Sequence, residues 1–300
     1  MAPKGTAVTV DGRSLMLTNL DKVLYPETGF TKGQVIDYYA RIAPAMVPHL
    51  AGRALTFKRF PNGVDKAGFF EKNCPGHRPD WVPVSIGPGS PPPQSCRVEE
   101  PAALVWAGNQ AAIEIHAPMA LADDLASPRM VVFDFDPGPP AAIRECAAVA
   151  LAVREVLAAV GLDGWCKTSG SKGLQLYVPV NEALTHEHAS SFALAVGQVL
   201  ERQMPDRVLT VMTKNLRGGK VFVDWSQNSF HKTTIGVYSL RARPHPTVST
   251  PVTWDEIAAA AEGEADLVFR AADALARVDD LGDLFGPTLT THQTLPAAQR

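Results

Sequence analysis

The 300-residue chain lacks any long apolar run. No stretch approaches the roughly 18 residues that a membrane-spanning helix requires. The opening residues, MAPKGTAVTVDGRS, also lack the apolar core of a secretion signal. These absences argue against a membrane partner and predict a cytoplasmic protein. A hydrophobic content of 46% with 20% charged residues is ordinary for a globular chain.

Cysteine is scarce, and no two cysteines form a CxxC pair. The four residues are Cys74, Cys96, Cys146 and Cys166. Their wide separation in a cytoplasmic chain predicts reduced thiols. Cys74, His77 and Cys96 could supply three zinc ligands, but a fourth is not evident, so no zinc site is expected.

The chain also lacks a positive net charge, since the balance is −3. That value argues against a generally basic nucleic-acid binder, yet it hides an asymmetry. Residues 245–300 carry nine acids and three arginines, a balance of −6, whereas residues 207–243 carry seven basic residues and one acid, Asp224. Such a basic stretch suits a polyanion. The alternative, a solvated basic face, is weakened because Asp224 lies inside an apolar strand.

The pattern of apolar residues predicts a mixed α/β fold, because helices and strands alternate along the chain. A capping box at Thr31–Gln34 marks the start of the first helix. The predicted helices are Thr31–Leu50, Pro101–Ile113, Ala141–Val160 and His186–Gln203. The predicted strands are Ala54–Phe60, Ile113–His116, Leu174–Val180, Val208–Thr213 and Lys220–Trp225. Residues 286–300 lack periodicity, which predicts a flexible tail.

Paired carboxylates end one apolar strand, in the sequence VVFDFDPGPP at residues 131–140. Alternate strand residues share a face, so Asp134 and Asp136 point the same way. Two neighbouring acids repel each other, and a divalent cation between them would remove that repulsion. The alternative is a solvated strand end. Asp224 ends a second apolar strand, KVFVDW, and the three acids together favour a site for two metal ions.

A glycine-rich turn, Thr168–Gly173, lies between these strands. Backbone N–H groups, serine hydroxyls and Lys172 could together cradle a phosphate. A plain hairpin turn would explain the glycines but not a lysine beside two serines. The preceding segment resembles a P-loop, but Cys166 replaces the second glycine that this loop requires, so we reject a P-loop.

Several other residues could contact a nucleic acid or a phosphate. A lone histidine such as His116, between a strand and a proline, is usually structural. Phe69 and Phe70 are core residues in the ordinary case, but on a nucleic-acid surface they would stack on bases. The remaining cations are Lys58, Arg59, Arg241 and Arg243.

Four motifs together resemble the polymerase domain of bacterial ligase D: FDFDPG, TSGSKGLQLYVP, KVFVDWSQNS and YSLRARPHPTVSTPVTWDE. That family belongs to the archaeo-eukaryotic primase superfamily and serves non-homologous end joining. The segments LTNLDKVLYPETGFTKGQVIDYYARIAP and KRFPNGVDKAGFFEKN resemble its N-terminal part. The resemblance spans about residues 17–256. It implies a primase-polymerase fold, with a mixed β-sheet core flanked by helices, in one catalytic domain over residues 10–285.

The resemblance assigns roles to individual residues. Asp134, Asp136 and Asp224 correspond to the catalytic metal ligands. The positions that hold the incoming nucleoside triphosphate correspond to Lys58, Arg59, His116, Ser169, Lys172, Gln227 and Arg241. A pocket for a DNA 5′-phosphate corresponds to Asn19, Lys22 and Lys32. The residues that contact the template or primer correspond to Phe69, Phe70, Lys214, Arg217 and Lys220.

The resemblance also implies the reaction and its partners. It implies template-directed nucleotide addition at gaps and DNA ends with two divalent cations, Mn²⁺ or Mg²⁺, and a preference for ribonucleotides. The expected partners are gapped DNA with a 5′-phosphate, nucleoside triphosphates, a Ku-type end-binding protein and a DNA ligase, in the bacterial nucleoid. For the 5′-phosphate, free N–H groups at the start of the first helix are expected to assist Lys22 and Lys32.

One departure from the family pattern concerns Gln175, where family members usually carry histidine. Glutamine can form hydrogen bonds but cannot become cationic, so nucleotide affinity or chemistry could differ.

Two other functions fit parts of the sequence. A free-standing primase would share the fold. A haloacid-dehalogenase-type phosphatase also begins with an apolar strand ending in DxD, but it requires Thr or Val where Gly138 stands.

Overall fold

A computed structural model describes residues 5–296, which form a mixed α/β fold as predicted. The helices are α1 (Lys32–Leu50), α2 (Pro101–Asn109), α3 (Ile143–Ala159), α4 (His186–Gln203), α5 (Trp254–Glu262) and α6 (Ala271–Leu281). The strands are β1 (Gly5–Val10), β2 (Arg13–Thr18), β3 (Val23–Tyr25), β4 (Phe30–Thr31), β5 (Thr56–Arg59), β6 (Phe69–Glu71), β7 (Val84–Ile86), β8 (Gln94–Cys96), β9 (Ala112–Ala117), β10 (Ala120–Leu121), β11 (Asp124–Pro128), β12 (Met130–Pro137), β13 (Trp165–Thr168), β14 (Leu174–Pro179), β15 (Val208–Leu209), β16 (Val221–Asp224), β17 (Thr234–Ile235) and β18 (Pro251–Val252).

The predicted helices agree with the observed ones wherever a cap marks the first residue. Thr31 caps α1, and Gln34 completes the predicted capping box. The predicted bounds of α4 are observed without change, with Thr185 as its cap. Helix α2 ends four residues earlier than predicted, because Ala111 adopts a left-handed backbone conformation (φ 55°) and the chain turns into β9. The strand predicted over Val208–Thr213 is shorter, since only its first two residues pair in β15.

The chain folds as two compact units. Unit 1 contains residues up to 118, Ile235–Ser249 and Phe269–Asp283. Unit 2 contains Met119–Thr234, Thr250–Val268 and the residues from 284 onward. Each unit is described separately below.

Unit 2 is built on a six-stranded sheet in the order β15-β16-β12-β14-β13-β18. Helices α3 and α4 both pack on the central strand β12. The ring of Phe133 lies 6.3 Å from that of Phe192 in α4, and the thiol of Cys146 in α3 donates to the carbonyl oxygen of Phe135. Phe133 and Phe135 therefore face the helices, and Asp134 and Asp136 face the other side, as the alternation predicts.

In unit 1, strand β5 pairs with β9 on one side and with β6 on the other. Helices α1 and α2 pack against each other, and α1 buries Tyr38 and Tyr39. The Tyr38 hydroxyl donates to the carbonyl oxygen of Tyr238, and the Tyr39 hydroxyl donates to that of Ile113. These bonds satisfy the polar ends of two large core side chains.

The prediction of four reduced thiols is wrong for one pair, because Cys74 and Cys96 form a disulfide. The two residues lie 22 positions apart, but the chain brings their Cα atoms to 4.8 Å. The Cys74 N–H donates to the carbonyl oxygen of Gln94, which aligns the two segments. Cys146 and Cys166 are buried free thiols.

The segment predicted as a tail is described only as far as residue 296. Its first residues, Gly286–Leu289, form a 3-10 helix, and Thr288 and Leu295 are buried. The Asn181 side chain donates to the carbonyl oxygens of Thr288 and Thr291, so this part of the segment is held against unit 2. Residues 297–300 lie outside the described residues.

Over residues 5–296, we find no helix with the length and apolarity that crossing a membrane would require.

Candidate functional site

Three carboxylates of unit 2, the carboxylate cluster, lie on the sheet face opposite α3 and α4. Asp134 and Asp136 belong to β12, and Asp224 belongs to the neighbouring strand β16. In the antiparallel register Asp134 stands directly opposite Asp224. Directly opposed residues have Cβ atoms about 4.5–5.5 Å apart on one face, so the pairing gathers three acids that lie up to 90 positions apart in sequence.

The acids of the carboxylate cluster repel each other. Burial, followed by the charge of Asp136, raises the pKa of Asp134 to about 7. Burial and the charge of Asp224 also raise the pKa of Asp136, while Arg217, 3.8 Å away, opposes that rise. Such upward shifts mean that the protein provides too little positive charge for its own carboxylates.

The donor set of the cluster fits a hard divalent cation, since carboxylate oxygens are the ligands that Mg²⁺ and Mn²⁺ prefer. Hydrogen bonds within the protein occupy some of these carboxylate oxygens. Asp224 caps a 3-10 helix (Trp225–Asn228) and accepts from the N–H and hydroxyl of Ser226 and from the amide of Gln227. As these side chains stand, no three His, Cys, Asp or Glu residues within 5–296 form a group that could hold a metal ion. A cation would have to draw the carboxylates together and displace some of these donors.

Arg217 reaches the cluster because its loop is fastened to the strand end. The N–H of Gly138 donates to the carbonyl oxygen of Lys220, and the N–H of Gly219 donates to that of Gly138. A Cβ atom at position 138 would lie 1.8 Å from the carbonyl oxygen of Arg217, so only glycine permits this approach. The FDFDPG motif thus sets the position of the 214–220 loop as well as that of the acids.

The glycine-rich turn ends beside the same strand. A Cβ atom at Gly173 would lie 2.0 Å from the carbonyl oxygen of Phe135. The Ser169 hydroxyl accepts from the N–H groups of Ser171 and Gly173, so these two N–H groups stabilise the turn itself. Lys172 is exposed. The hairpin interpretation therefore explains Gly173, and the role of Lys172 as a phosphate ligand stays a prediction.

A buried polar network contacts Asp134, and few features of the sequence indicate it. The amide nitrogen of Gln175 donates to Oδ1 of Asp134 at 3.2 Å. The amide oxygen of Gln175 accepts from Nζ of Lys167 at 2.5 Å and from the hydroxyl of Tyr177 at 3.1 Å. Lys167 is 1% exposed. In the sequence, Lys167 resembled part of a rejected P-loop, and only its register opposite Gln175 reveals its partner.

In unit 1 three of the predicted triphosphate ligands surround one acid, Glu114, and form the Glu114 cluster. Its Oε2 lies 3.0 Å from Nε2 of His116 and 3.8 Å from Nζ of Lys58, and its Oε1 lies 3.2 Å from Nε of Arg241. The N–H of Ala242 also donates to Oε1. Burial opposes the charge, but His116, Arg241 and Lys58 outweigh it and lower the Glu114 pKa to about 2. Sequence reasoning missed Glu114, although the alternation in AIEIHA places it on the same face as His116.

Arg59 and the two phenylalanines of β6 form a second group in unit 1. Arg59 donates to Glu71 and to the carbonyl oxygen of Gln110, both at 2.7 Å. Phe69 and Phe70 remain 46% and 57% exposed on an edge strand. Arg59 lies over the ring of Phe69 at 5.4 Å, and Lys58 lies over that of Phe70 at 5.3 Å. Exposed rings beside cations are suited to stacking on bases.

The predicted 5′-phosphate residues lie around the start of α1. Lys32 is 5% exposed, and its Nζ donates to the carbonyl oxygen of Thr18 at 2.6 Å. Burial, followed by the charges of Lys22 and Arg59, lowers its pKa to about 8. Lys22 contacts Asn62 at 3.4 Å. Asn19 adopts a left-handed conformation (φ 55°) in the turn before Lys22.

The expectation of free N–H groups at the start of α1 is wrong. The N–H of Lys32 donates to the carbonyl oxygen of Lys22, and the N–H of Gly33 donates to that of Leu20. The N–H of Gln34 donates to the Thr31 hydroxyl. Anion binding here would therefore depend on the lysine side chains rather than on the helix backbone.

Comparison with known proteins places this geometry in context. Residues 31–285 match the family model of the LigD primase-polymerase domain. The multifunctional non-homologous end joining protein LigD of Mycolicibacterium smegmatis is 43% identical over 297 residues, which cover 95% of this chain and 38% of that protein. LigD of Mycobacterium bovis is 46% identical over 250 residues, 80% of this chain and 33% of that protein. The chain thus spans less than two fifths of either relative.

A solved structure is similar over nearly the whole chain. The polymerase domain of Mycobacterium tuberculosis ligase D, solved in complex with DNA, has a TM-score of 0.86 and 41% sequence identity. The match covers 93% of this chain and 99% of that domain.

Proposed function

The chain belongs to the LigD primase-polymerase family, and from that premise we propose that it fills gaps and extends DNA ends in non-homologous end joining. Family membership makes it a nucleotidyltransferase of the primase-polymerase type. The finer proposals concern the residues that act, the metal, the sugar preference and the partners.

The carboxylate cluster is the observation that carries the proposal. Asp134, Asp136 and Asp224 share one face, repel each other and present hard oxygen ligands, and these properties support divalent-cation binding. Two such cations, when bound, stabilise the attacking and leaving oxygens of nucleotidyl transfer. We assign all three acids as ligands, and Mn²⁺ or Mg²⁺ as the ion. Gln227 is proposed to bind the nucleotide, and its side-chain amide donates a hydrogen bond to Asp224.

Polar and charged side chains in each unit are proposed to bind the triphosphate. In unit 2 these are Lys172, which is exposed, and Ser169, whose hydroxyl lies within the turn. In unit 1 they are Lys58, Arg59, His116 and Arg241. Glu114 holds three of them in a fixed arrangement, so less conformational freedom is lost when a phosphate binds. Ribonucleotides are the substrates that the family resemblance favours.

Lys22 and Lys32, with Asn19 in the turn before Lys22, are proposed to bind a DNA 5′-phosphate. Burial, followed by the charges of Lys22 and Arg59, lowers the Lys32 pKa, and a bound anion would favour the charged lysine. Phe69 and Phe70 are proposed to stack on template bases, and Lys214, Arg217 and Lys220 to contact the primer. A Ku-type end-binding protein and a DNA ligase remain the proposed protein partners.

One experiment tests the proposal directly. The purified chain is given gapped duplex DNA with a 5′-phosphate or a 5′-hydroxyl, ribo- or deoxynucleotides, and Mn²⁺ or Mg²⁺. We expect template-directed addition, faster with ribonucleotides, and tighter binding to the 5′-phosphate DNA at moderate salt. Lys22→Ala with Lys32→Ala should erase the phosphate preference but spare addition at high DNA concentration. Higher salt should weaken binding, because part of it is counterion release.

A matched control removes two exposed cations of unit 1 that lie outside these groups, as in Arg41→Ala with Lys66→Ala. This variant should keep the phosphate preference. Equal affinity of the unmutated protein for phosphate and hydroxyl ends would overturn the end-joining assignment. Synthesis of dinucleotides on a bare single strand would then favour the second candidate, a primase, which shares the fold.

A further inference from the structure

Gln175 has a fixed orientation, because three hydrogen bonds determine which end of its amide faces Asp134. Its oxygen accepts from Lys167 and from Tyr177, and its nitrogen donates to Oδ1 of Asp134. A lysine ammonium group has donors only, so it can face the oxygen of the amide but not the nitrogen. Rotating the amide by 180° would set its NH₂ group against Lys167 and its oxygen against Asp134, both unfavourable contacts. Lys167 therefore selects the orientation in which Gln175 donates to Asp134.

The burial of Lys167 requires an explanation, because an ammonium group in a protein interior carries a large desolvation cost. The side chain comes from β13, and its Nζ also lies 5.3 Å from the centre of the Tyr177 ring. An apolar residue would fill the same position without that cost, and replacing buried charges by apolar groups is often neutral or stabilising. The hydrogen bond to Gln175 supplies a functional reason for a lysine here.

We propose that Lys167 is a positioning residue that acts through Gln175 to hold the Asp134 carboxylate, by its Oδ1, in the orientation in which it would bind a divalent cation. The inference rests on the proposed function in one respect, namely that Asp134 is a metal ligand. It adds a residue that does not touch the ion. Partners that orient metal ligands typically change metal affinity by about 10–100-fold when they are removed.

The direction of the effect separates positioning from simple electrostatics. Lys167 is a cation near a cation site, so removing its charge alone would strengthen Mn²⁺ binding. If Lys167 orients Asp134, its removal weakens Mn²⁺ binding. We expect the dissociation constant for Mn²⁺ to rise about 10–100-fold in Lys167→Met. The measurement is Mn²⁺ titration of the nucleotide-free protein, with free Mn²⁺ followed by electron paramagnetic resonance.

Three further variants test the route through Gln175. Gln175→Leu should weaken Mn²⁺ binding as much as Lys167→Met does, and the double variant should be no weaker than Gln175→Leu alone, because both changes remove one pathway. Tyr177→Phe removes one of the two donors to the Gln175 oxygen and should have a smaller effect. Thr234→Val removes a different partner of the Tyr177 hydroxyl, the Thr234 hydroxyl at 2.9 Å, and should have no effect on Mn²⁺ binding. Circular dichroism and thermal unfolding without metal establish that each variant is folded.

Each outcome decides between the alternatives. Unchanged or tighter Mn²⁺ binding in Lys167→Met, or additive losses in the double variant, would overturn the positioning role. If Lys167→Met fails to fold, Tyr177→Phe and Gln175→Leu provide the test. If both variants bind Mn²⁺ with the affinity of the unmutated protein, the positioning role is overturned. Absence of Mn²⁺ binding by the unmutated protein would overturn the metal assignment itself, and the inference with it. That failure is visible before any variant is made.

Discussion

The carboxylate cluster of unit 2 and the Glu114 cluster of unit 1 have net charges of opposite sign. They also differ in whether the acids have cationic partners within the protein. In unit 1 a single buried acid has Lys58, His116 and Arg241 around it, and its pKa falls to about 2. In unit 2 three acids share a face, and the pKa of Asp134 rises to about 7. In the first cluster, neighbouring side chains of the protein satisfy the charge of the acid. The second is short of positive charge and requires a cation from solution.

The predicted 5′-phosphate residues of unit 1 show a related effect with the sign reversed. Burial, followed by the charges of Lys22 and Arg59, lowers the Lys32 pKa to about 8. Like charges thus lie close together where a metal ion or a terminal phosphate is proposed to bind, whereas in the Glu114 cluster one acid holds the cations proposed to bind the triphosphate. Four predictions test this distinction, beginning with the largest effect.

Asp136→Ala should abolish nucleotide addition without unfolding the protein. Losing a metal ligand removes several kcal/mol of transition-state stabilisation, which corresponds to at least about a 1,000-fold loss in rate. Stability without metal should be unchanged or higher, because the variant relieves repulsion within the carboxylate cluster. Primer extension and thermal unfolding are the measurements. Asp124→Ala, an exposed acid of unit 2, is the control. Near-normal extension by Asp136→Ala in Mn²⁺ would contradict the assignment.

Glu114→Ala should behave in the opposite way and reduce stability. It leaves Arg241 and Lys58 without their shared partner, and removing one member of a buried ion pair costs about 3–5 kcal/mol. Because Lys58 is partly exposed, we expect a loss near 3 kcal/mol in the free energy of unfolding, measured by urea denaturation. Asp37→Ala, which breaks an exposed pair with Arg41, should cost under about 1 kcal/mol. Similar losses in both variants would remove the distinction between the two kinds of cluster.

The contrast between the clusters also explains what the sequence could predict. The acids Asp134 and Asp136 follow from strand alternation, because local spacing determines which face they share. The start of α1, with Thr31 as its cap, follows from a capping box, which is also a local pattern. The role of Glu114 and the partner of Lys167 depend on strand register, which single-strand patterns do not specify.

Long-range pairing likewise accounts for the two errors in unit 1. Cys74 and Cys96 carry no CxxC spacing, and only their positions in the folded chain bring the thiols together. The first N–H groups of α1 would be free in an isolated helix, but the carbonyl oxygens of Leu20 and Lys22 fold back onto them. In both cases a partner from outside the local motif determines the chemistry.

Lys172→Ala and Arg241→Ala should each raise the apparent KM for the nucleotide. Each removes a charge-assisted contact worth about 1.5–3 kcal/mol, and solvent screening of the exposed Lys172 makes about a tenfold rise the expectation. DNA binding without nucleotide should barely change. Steady-state kinetics with varied nucleotide and fluorescence anisotropy with labelled DNA measure the two quantities. Lys232→Ala, an exposed lysine of unit 2, should leave both unchanged. An unchanged KM in both test variants would mean that other residues bind the triphosphate.

The smallest expected effect is the pH dependence of 5′-phosphate binding. The pKa of Lys32 lies near 8 without a ligand, and a bound phosphate would raise it towards the ordinary value of about 10.4. The preference for 5′-phosphate DNA should therefore be greatest near pH 7, where the phosphate is largely a dianion, and fall as pH rises through 8, by up to about tenfold at pH 9, because binding then requires uptake of a proton. Calorimetry at pH 8.5 in buffers of different ionisation enthalpy should detect that proton. Lys32→Met should abolish both the proton uptake and the pH dependence, whereas Lys66→Met, which changes an exposed lysine, should retain them. A preference that stays constant from pH 7 to pH 9 in the unmutated protein would mean that Lys32 does not contact the phosphate, and would leave Asn19 and Lys22 as its proposed ligands.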